Sequence, residues 1–229
     1  MTHETITLFP IWAVAFLLSV TVHEAAHALA ALKGGDRTAY LAGQASLDPI
    51  PHIKREPLGM VLVPIITYFL NGFMFGWASA PLDPYWVIRN PKAAAWVSLA
   101  GPLSNLGLMI LTALCMYVGI HTGALSLSFM PSFSSLVVGN GFFEGLGIFL
   151  SILFSLNSIL FFFNLIPLPP LDGASVLGLF VKEEWALKIQ TLARDPQFSM
   201  IGFFIIWFFA GQIISPLYRF SVMVLYSVL

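Results

Sequence analysis

An all-α polytopic membrane protein is the fold class this sequence predicts, and three observations predict it. Of 229 residues, 58% are hydrophobic and only 9% are charged. The mean hydropathy of +0.88 lies well above that of water-soluble domains. The apolar residues also gather into runs long enough to cross a hydrocarbon layer of about 30 Å, which takes about 20 helical residues. Four runs qualify, Ile6–Leu32, Ala93–Ile120, Leu146–Ile166 and Phe198–Ile214. We expect the first three to form a three-helix core and the fourth to be a further span, in one integral membrane domain over residues 1–229, with the core at about 6–180 and the last span and tail at about 196–229.

The elements follow in order. The N-terminal MTHETITLF lacks the basic stretch of a signal peptide, so the first run reads as retained. The stretch Thr38–Ser46, TAYLAGQAS, is short and Gly-containing, and it suits a strand or β-hairpin better than a helix. Leu58–Trp77 is apolar but interrupted by Pro64, Asn71, Gly72 and Gly76, which leaves a full span or a re-entrant element. Basic residues choose between them, because cytoplasmic loops collect Lys and Arg. Lys33, Arg37, Lys54, Arg55, Arg89, Lys92, Lys182, Lys188 and Arg194 fall on one side only if Leu58–Trp77 re-enters; the tenth, Arg219, lies in the tail. Re-entry is therefore expected, with the N-terminus outside and the basic loops in the cytosol of a cell-membrane protein. The third run breaks at Pro167, Pro169 and Pro170, and non-helical backbone at that depth is tolerated where it lines a cavity. A net charge of −1 gives no basic field for nucleic acid, and the lone Cys115 has no internal disulfide partner.

The first run carries His23-Glu24-Ala25-Ala26-His27, an HExxH motif. On a helix, positions i and i+4 share a face about 6 Å apart along the axis, so both imidazoles reach one metal ion with the glutamate beside it. Ionisable groups are costly in hydrocarbon, and a metal offsets that cost. A catalytic zinc takes a third protein ligand. His3 and His121 should lie at the opposite surface and His52 in a loop, whereas Asp172, after the broken third run, reaches the depth of His27.

Three ordered motifs now carry a resemblance: HEAAH, Ala100-Gly101-Pro102-Leu103-Ser104-Asn105, and the run NLIPLPPLDG from Asn164 to Gly173. Together they resemble the site-2 proteases, intramembrane zinc metalloproteases, over roughly residues 20–175. The stretches Asp48–Ile53 and Phe75–Ala78 are also similar to small bacterial and archaeal members. The resemblance implies one zinc ion held by His23, His27 and Asp172, with Glu24 as catalytic acid and base. Asn105 and Asn164 match motif positions, and with His52 they are candidates for substrate or oxyanion contact. The implied substrate is a single-pass or membrane-anchored protein, unwound where it is cut and pairing as a strand with an edge near Thr38–Ser46. A membrane adaptor or a second copy of the chain are the other partners open to it. Only 25 residues separate the second and third spans, too few for the PDZ domain of larger relatives, and no nucleotide-sensing domain follows the last span. A metal transporter or an inactive scaffold would have no use for Glu24 between the histidines.

Overall fold

The computed structural model describes residues 3–229, with side chains from Thr5 onward; the expectation for the His3 side chain lies outside the described residues. In chain order the elements are α1 (His3–Gly34), α2 (Thr38–Leu41), α3 (Pro49–Arg55), a π-helical turn (Leu58–Leu62) running into α4 (Val63–Asn71), α5 (Pro84–Arg89) and α6 (Pro91–His121). A hairpin of β1 (Leu125–Ser132) and β2 (Ser135–Gly139) follows, then α7 (Glu144–Asn164), α8 (Asp172–Val176), α9 (Glu183–Ala193) and α10 (Pro196–Val228). Among the described residues four helices are long and apolar enough to cross a membrane, and they coincide with the four predicted runs. The last one continues past the expected end at Ile214 to Val228, carrying Pro216 inside it.

Asp-Pro pairs start three helices. At Asp48-Pro49, Asp83-Pro84 and Asp195-Pro196 the aspartate accepts a hydrogen bond from the backbone N–H two residues on. The proline, which has no N–H to leave orphaned, takes the first helical position.

The core is built where α1, α6 and α7 meet. One cluster gathers Trp12, Phe16 and Val20 of α1 with Met60, Tyr68, Ile152 and Leu156; a second joins Met116 of α6, Leu150 and Phe154 of α7, Leu225 of α10 and the hairpin residues Leu136 and Val137. Helix α10 is pinned to α7 by polar pairs, Ser155 Oγ to Tyr218 Oη at 2.9 Å and Ser158 Oγ to Ser221 Oγ at 2.6 Å.

The stretch after α4 turns at Gly72, whose φ of 72° is left-handed, and runs back alongside. Trp77 N–H donates to Gly59 O at 3.1 Å. The seam is backbone on backbone: a Cβ at Gly76 would lie 2.1 Å from Gly59 O. Ser79 Oγ, on the return, donates to Glu56 Oε1 at 2.6 Å, and Asp83 N–H donates to Asp36 Oδ2 at 2.8 Å. Leu58–Trp77 therefore enters and leaves at the same end of the bundle. Its helical part, Leu58–Asn71, is about 21 Å long at 1.5 Å per residue, too short to cross.

One local expectation is corrected. Thr38–Ser46 is no strand: Asp36 Oδ1 accepts both Thr38 N–H (2.8 Å) and Thr38 Oγ–H (2.6 Å), which starts the helical turn α2. The hairpin lies instead between the second and third long helices, over 125–139, with Leu125 opposite Gly139. Its inner strand is tied to α7 by Ser151 Oγ, which accepts from Leu136 N–H at 2.9 Å.

Candidate metal centre

The HExxH turn faces α6. His23 and His27 are 7% and 8% exposed, and their Nε2 atoms lie 3.0 Å apart. The loop that follows α7 brings Asp172, the first residue of α8, onto the same point. Its Oδ2 is 3.1 Å from His23 Nε2 and 3.3 Å from His27 Nε2. These three are the metal-competent group found among the described residues.

The outer ring nitrogens decide what the inner ones can do. His27 Nδ1 lies 2.7 Å from Val97 O, and His23 Nδ1 lies 2.6 Å from Asn105 Oδ1. Both partners can only accept, so both Nδ1 atoms carry a proton, and each ring in its neutral form offers the Nε2 lone pair inward. Two imidazole nitrogens and a carboxylate oxygen thus converge on one point. A cation is what such a set fits. A tetrahedral zinc with bonds of about 2.0–2.1 Å has edges of about 3.3–3.4 Å, close to the 3.0, 3.1 and 3.3 Å between these atoms.

Helix α6 comes this close because position 101 is glycine. A Cβ there would lie 2.4 Å from His27 Nε2 and 2.5 Å from His23 Nε2. Beside the triad, Glu24 is 5% exposed and its Oε2 has no hydrogen-bond partner. A buried, unpartnered carboxylate oxygen beside such a group calls for an explanation.

The structure divides the other expected residues. Asn105 reaches the site from behind. It is fully buried, its Oδ1 is taken by His23, and its Nδ2 donates to Asn157 Oδ1 at 2.8 Å and Ser19 O at 3.4 Å. Its amide nitrogen is thus turned to partners within the bundle. Asn164 donates to Leu160 O of its own helix at 3.1 Å. His52 sits in α3 rather than a loop, fully buried, with Nε2 3.2 Å from Ser46 O. Neither residue bonds the three converging atoms. His121, at the far end of α6, bonds Tyr117 O at 2.9 Å. Asn157 was missed by the sequence reading. It donates to Ser19 Oγ at 2.9 Å and to Leu153 O at 2.8 Å, and its only signal was a second asparagine inside the third apolar run.

A paired-histidine and aspartate site with an adjacent free glutamate, carried on membrane-length helices, defines a metallopeptidase of the membrane. The chain belongs to peptidase family M50, that of the site-2 proteases, whose profile matches residues 11–209. It is 35% identical over 173 residues to a Bacillus subtilis (strain 168) protein provisionally named zinc metalloprotease YwhC, a match covering 75% of this chain and 69% of that protein. It is 27% identical over 195 residues to the Mycobacterium tuberculosis (strain H37Rv) protein provisionally named zinc metalloprotease Rip2, covering 85% of this chain and 65% of that one. No solved structure matches the chain.

Proposed function

We propose that this protein is an intramembrane zinc metalloprotease that hydrolyses peptide bonds in or near transmembrane segments of membrane-anchored substrates, the cutting step of regulated intramembrane proteolysis. The observation that carries this reading is the convergence of His23 Nε2, His27 Nε2 and Asp172 Oδ2 next to Glu24, whose Oε2 is unpartnered, inside helices of membrane length. Those three side chains would hold one zinc per chain. When bound, zinc polarises the scissile carbonyl and lowers the pKa of the attacking water towards 7. Glu24 Oε2 takes the water's proton and returns it to the leaving nitrogen. Asn105 and Val97 O orient the two rings from behind, the supporting role such partners play in metal sites.

Depth supports the location of the cut. His27 is seven residues from Gly34, the end of α1, about 10 Å of helix. We read that end as cytoplasmic because the loops there carry nine of the ten basic residues. The site then opens below the cytoplasmic surface of the cell membrane, and a substrate helix must unwind to reach it, since helical backbone withholds its carbonyls. Residues 1–229 act as one membrane domain in this reading, and an adaptor or a second copy could present substrate.

Comparative membrane proteomics of cells carrying wild-type or Glu24→Gln protein tests it. A single-pass protein should accumulate uncut in the variant and be cleaved by purified wild-type enzyme in liposomes. Identical membrane proteomes, with no cleavage in liposomes, would refute the assignment.

A further inference from the structure

Hydroxyls buried in the long helices have a regular partner. Ser19 of α1 donates to Ala15 O at 2.7 Å, Thr112 of α6 to Leu108 O at 2.7 Å and Ser151 of α7 to Gly147 O at 2.8 Å, each reaching the carbonyl four residues back on its own helix. Hydrocarbon offers nothing better, and a buried hydroxyl without a partner is costly. Thr21 departs from this. It lies two residues after Ser19 on α1 and is 2% exposed, yet its Oγ bonds nothing.

Its position on the helix gives that oxygen a context. Thr21 and Glu24 are three residues apart on α1, which puts both side chains on one face with Cβ atoms about 5–6 Å apart. Glu24 is 5% exposed, and its Oε2 is unpartnered as well. Four buried side-chain atoms lack a partner among the described residues, and two of them are thus neighbours on the face that carries the expected general base. On the adjoining face Ser19, Asn157 and Asn105 are all paired with one another, Asn157 Nδ2 to Ser19 Oγ at 2.9 Å and Asn105 Nδ2 to Asn157 Oδ1 at 2.8 Å. The deficit is local to the side of α1 where the chemistry would occur.

A peptide drawn in to be cut supplies what both oxygens lack. Its scissile carbonyl must come to Glu24 and the three converging atoms. Carbonyls on one edge of an extended chain recur about every 6.6 Å, and Thr21 stands about 4.5 Å from Glu24 along the helix axis. The difference of about 2 Å is within the reach of the side chains, so a chain lying along this face brings a second carbonyl to the hydroxyl.

We infer that Thr21 is a substrate-binding residue, its hydroxyl donating to a main-chain carbonyl of the unwound substrate two residues from the bond that is cut. The inference rests on the protease reading and adds one contact to it. Both oxygens are sealed inside the bundle, so the opening that admits the peptide also brings the partner. A substrate that stayed helical would keep that carbonyl for its own backbone, so the contact favours extended chain without regard to side chains. Until the peptide arrives, the unmet hydroxyl lowers stability.

The test uses the full chain in a maltoside detergent, loaded with Co²⁺ in place of zinc so that ligand binding is read from visible absorption. Acetohydroxamic acid engages the metal alone. N-acetyl-leucyl-leucine hydroxamate adds an extended peptide on the acyl side, and a succinyl hydroxamate of leucine methylamide adds one on the amine side, so one of the two covers Thr21 whichever way the chain runs. Thr21→Val keeps the shape and removes the donor. It should bind acetohydroxamic acid within about twofold of wild type and at least one peptide hydroxamate about 5- to 10-fold more weakly, the loss expected for one hydrogen bond, while Thr21→Ser restores that affinity. Without ligand, Thr21→Val should melt at or above the wild-type temperature, because it deletes a buried hydroxyl that has no partner. A lowered melting temperature would show that the hydroxyl is bonded within the fold and overturn the proposal. Equal weakening of all three probes, unchanged binding of both peptides, or a loss in Thr21→Ser as large as in Thr21→Val would also overturn it. A wild-type chain that takes up no cobalt, or shows no spectral response to acetohydroxamic acid, overturns the metal reading and this inference with it, and is told apart because the failure is in the wild type.

Discussion

Replacing Gly101 with alanine adds one methyl group at the closest approach of two helices, and the structure states what that methyl meets. Its carbon would lie 2.4 Å from His27 Nε2 and 2.5 Å from His23 Nε2, whereas ordinary contact begins at 3.4 Å. About 1 Å must be found. The rings cannot supply it alone, because their far sides are bonded to the same helix, His23 to Asn105 at 2.6 Å and His27 to Val97 at 2.7 Å. Moving α6 away by that amount would stretch both bonds to about 3.6 and 3.7 Å, beyond hydrogen-bond range. Losing such a supporting partner lowers metal affinity about 10- to 100-fold, so losing both predicts a fall of about 10²- to 10⁴-fold. Zinc per chain after dialysis against a graded series of chelator measures this on the purified protein. Gly107→Ala is the matched control on the same helix, since nothing lies within 4 Å of its Cβ. Helicity by circular dichroism should be unchanged in both. If Gly101→Ala held zinc within threefold of wild type, the packing described at the site would be wrong.

Other expectations follow from the same contacts. His23→Ala, His27→Ala and Asp172→Ala should each lose zinc, while Glu24→Gln keeps metal and fold and loses cleavage; full occupancy in Asp172→Ala would remove that residue from the site. Asn157→Leu removes the acceptor that holds Asn105, and zinc affinity should drop about tenfold with the melting temperature only slightly lowered. Single cysteines at Lys54, Arg89 and Lys188 in a Cys115→Ser background should all be labelled from the cytosol by an impermeant reagent, and one at Ser126 from the opposite face; outside labelling at position 89 would contradict the orientation. Burial raises the Asp36 pKa, but hydrogen bonds from Thr38 Oγ–H, Thr38 N–H and Asp83 N–H outweigh it and hold the group below its usual 3.8. Its stabilising contribution is therefore complete above that value and lost as pH falls through the lower folded one, so the melting-temperature gap between wild type and Asp36→Asn should stay flat from pH 8 to 5 and close only under stronger acid.

The sequence was most legible where chemistry is local. His23, Glu24 and His27 sit within five residues, and Asp172 follows three prolines that mark broken backbone, so spacing and depth were enough to bring the three converging side chains together on paper. The four spans were legible because twenty apolar residues admit few other structures. What could not be read depends on partners far along the chain. Asn157 looks like one polar residue in an apolar helix until Asn105, 52 residues away, is placed against it. The hairpin over 125–139 alternates weakly, and its inner strand is held by Ser151 of α7 rather than by its own pattern. At Thr38–Ser46 the absence of helix signals was misleading, because a single aspartate two residues upstream starts the turn.

The hydrogen bonds behind His23 also run in one direction only. Ala15 O can only accept, so Ser19 must donate to it, at 2.7 Å. The Ser19 oxygen is then free to accept from Asn157, whose carbonyl accepts from Asn105, whose own carbonyl accepts from His23. Each step fixes the sense of the next, and a main-chain carbonyl two turns up α1 thereby dictates which nitrogen of the ring is bare. The packing of three helices and the arming of a ligand are one event. The bundle should fold before any ion arrives, with His23 already in its metal-binding tautomer, and the energy of metal capture need not be spent on ordering it.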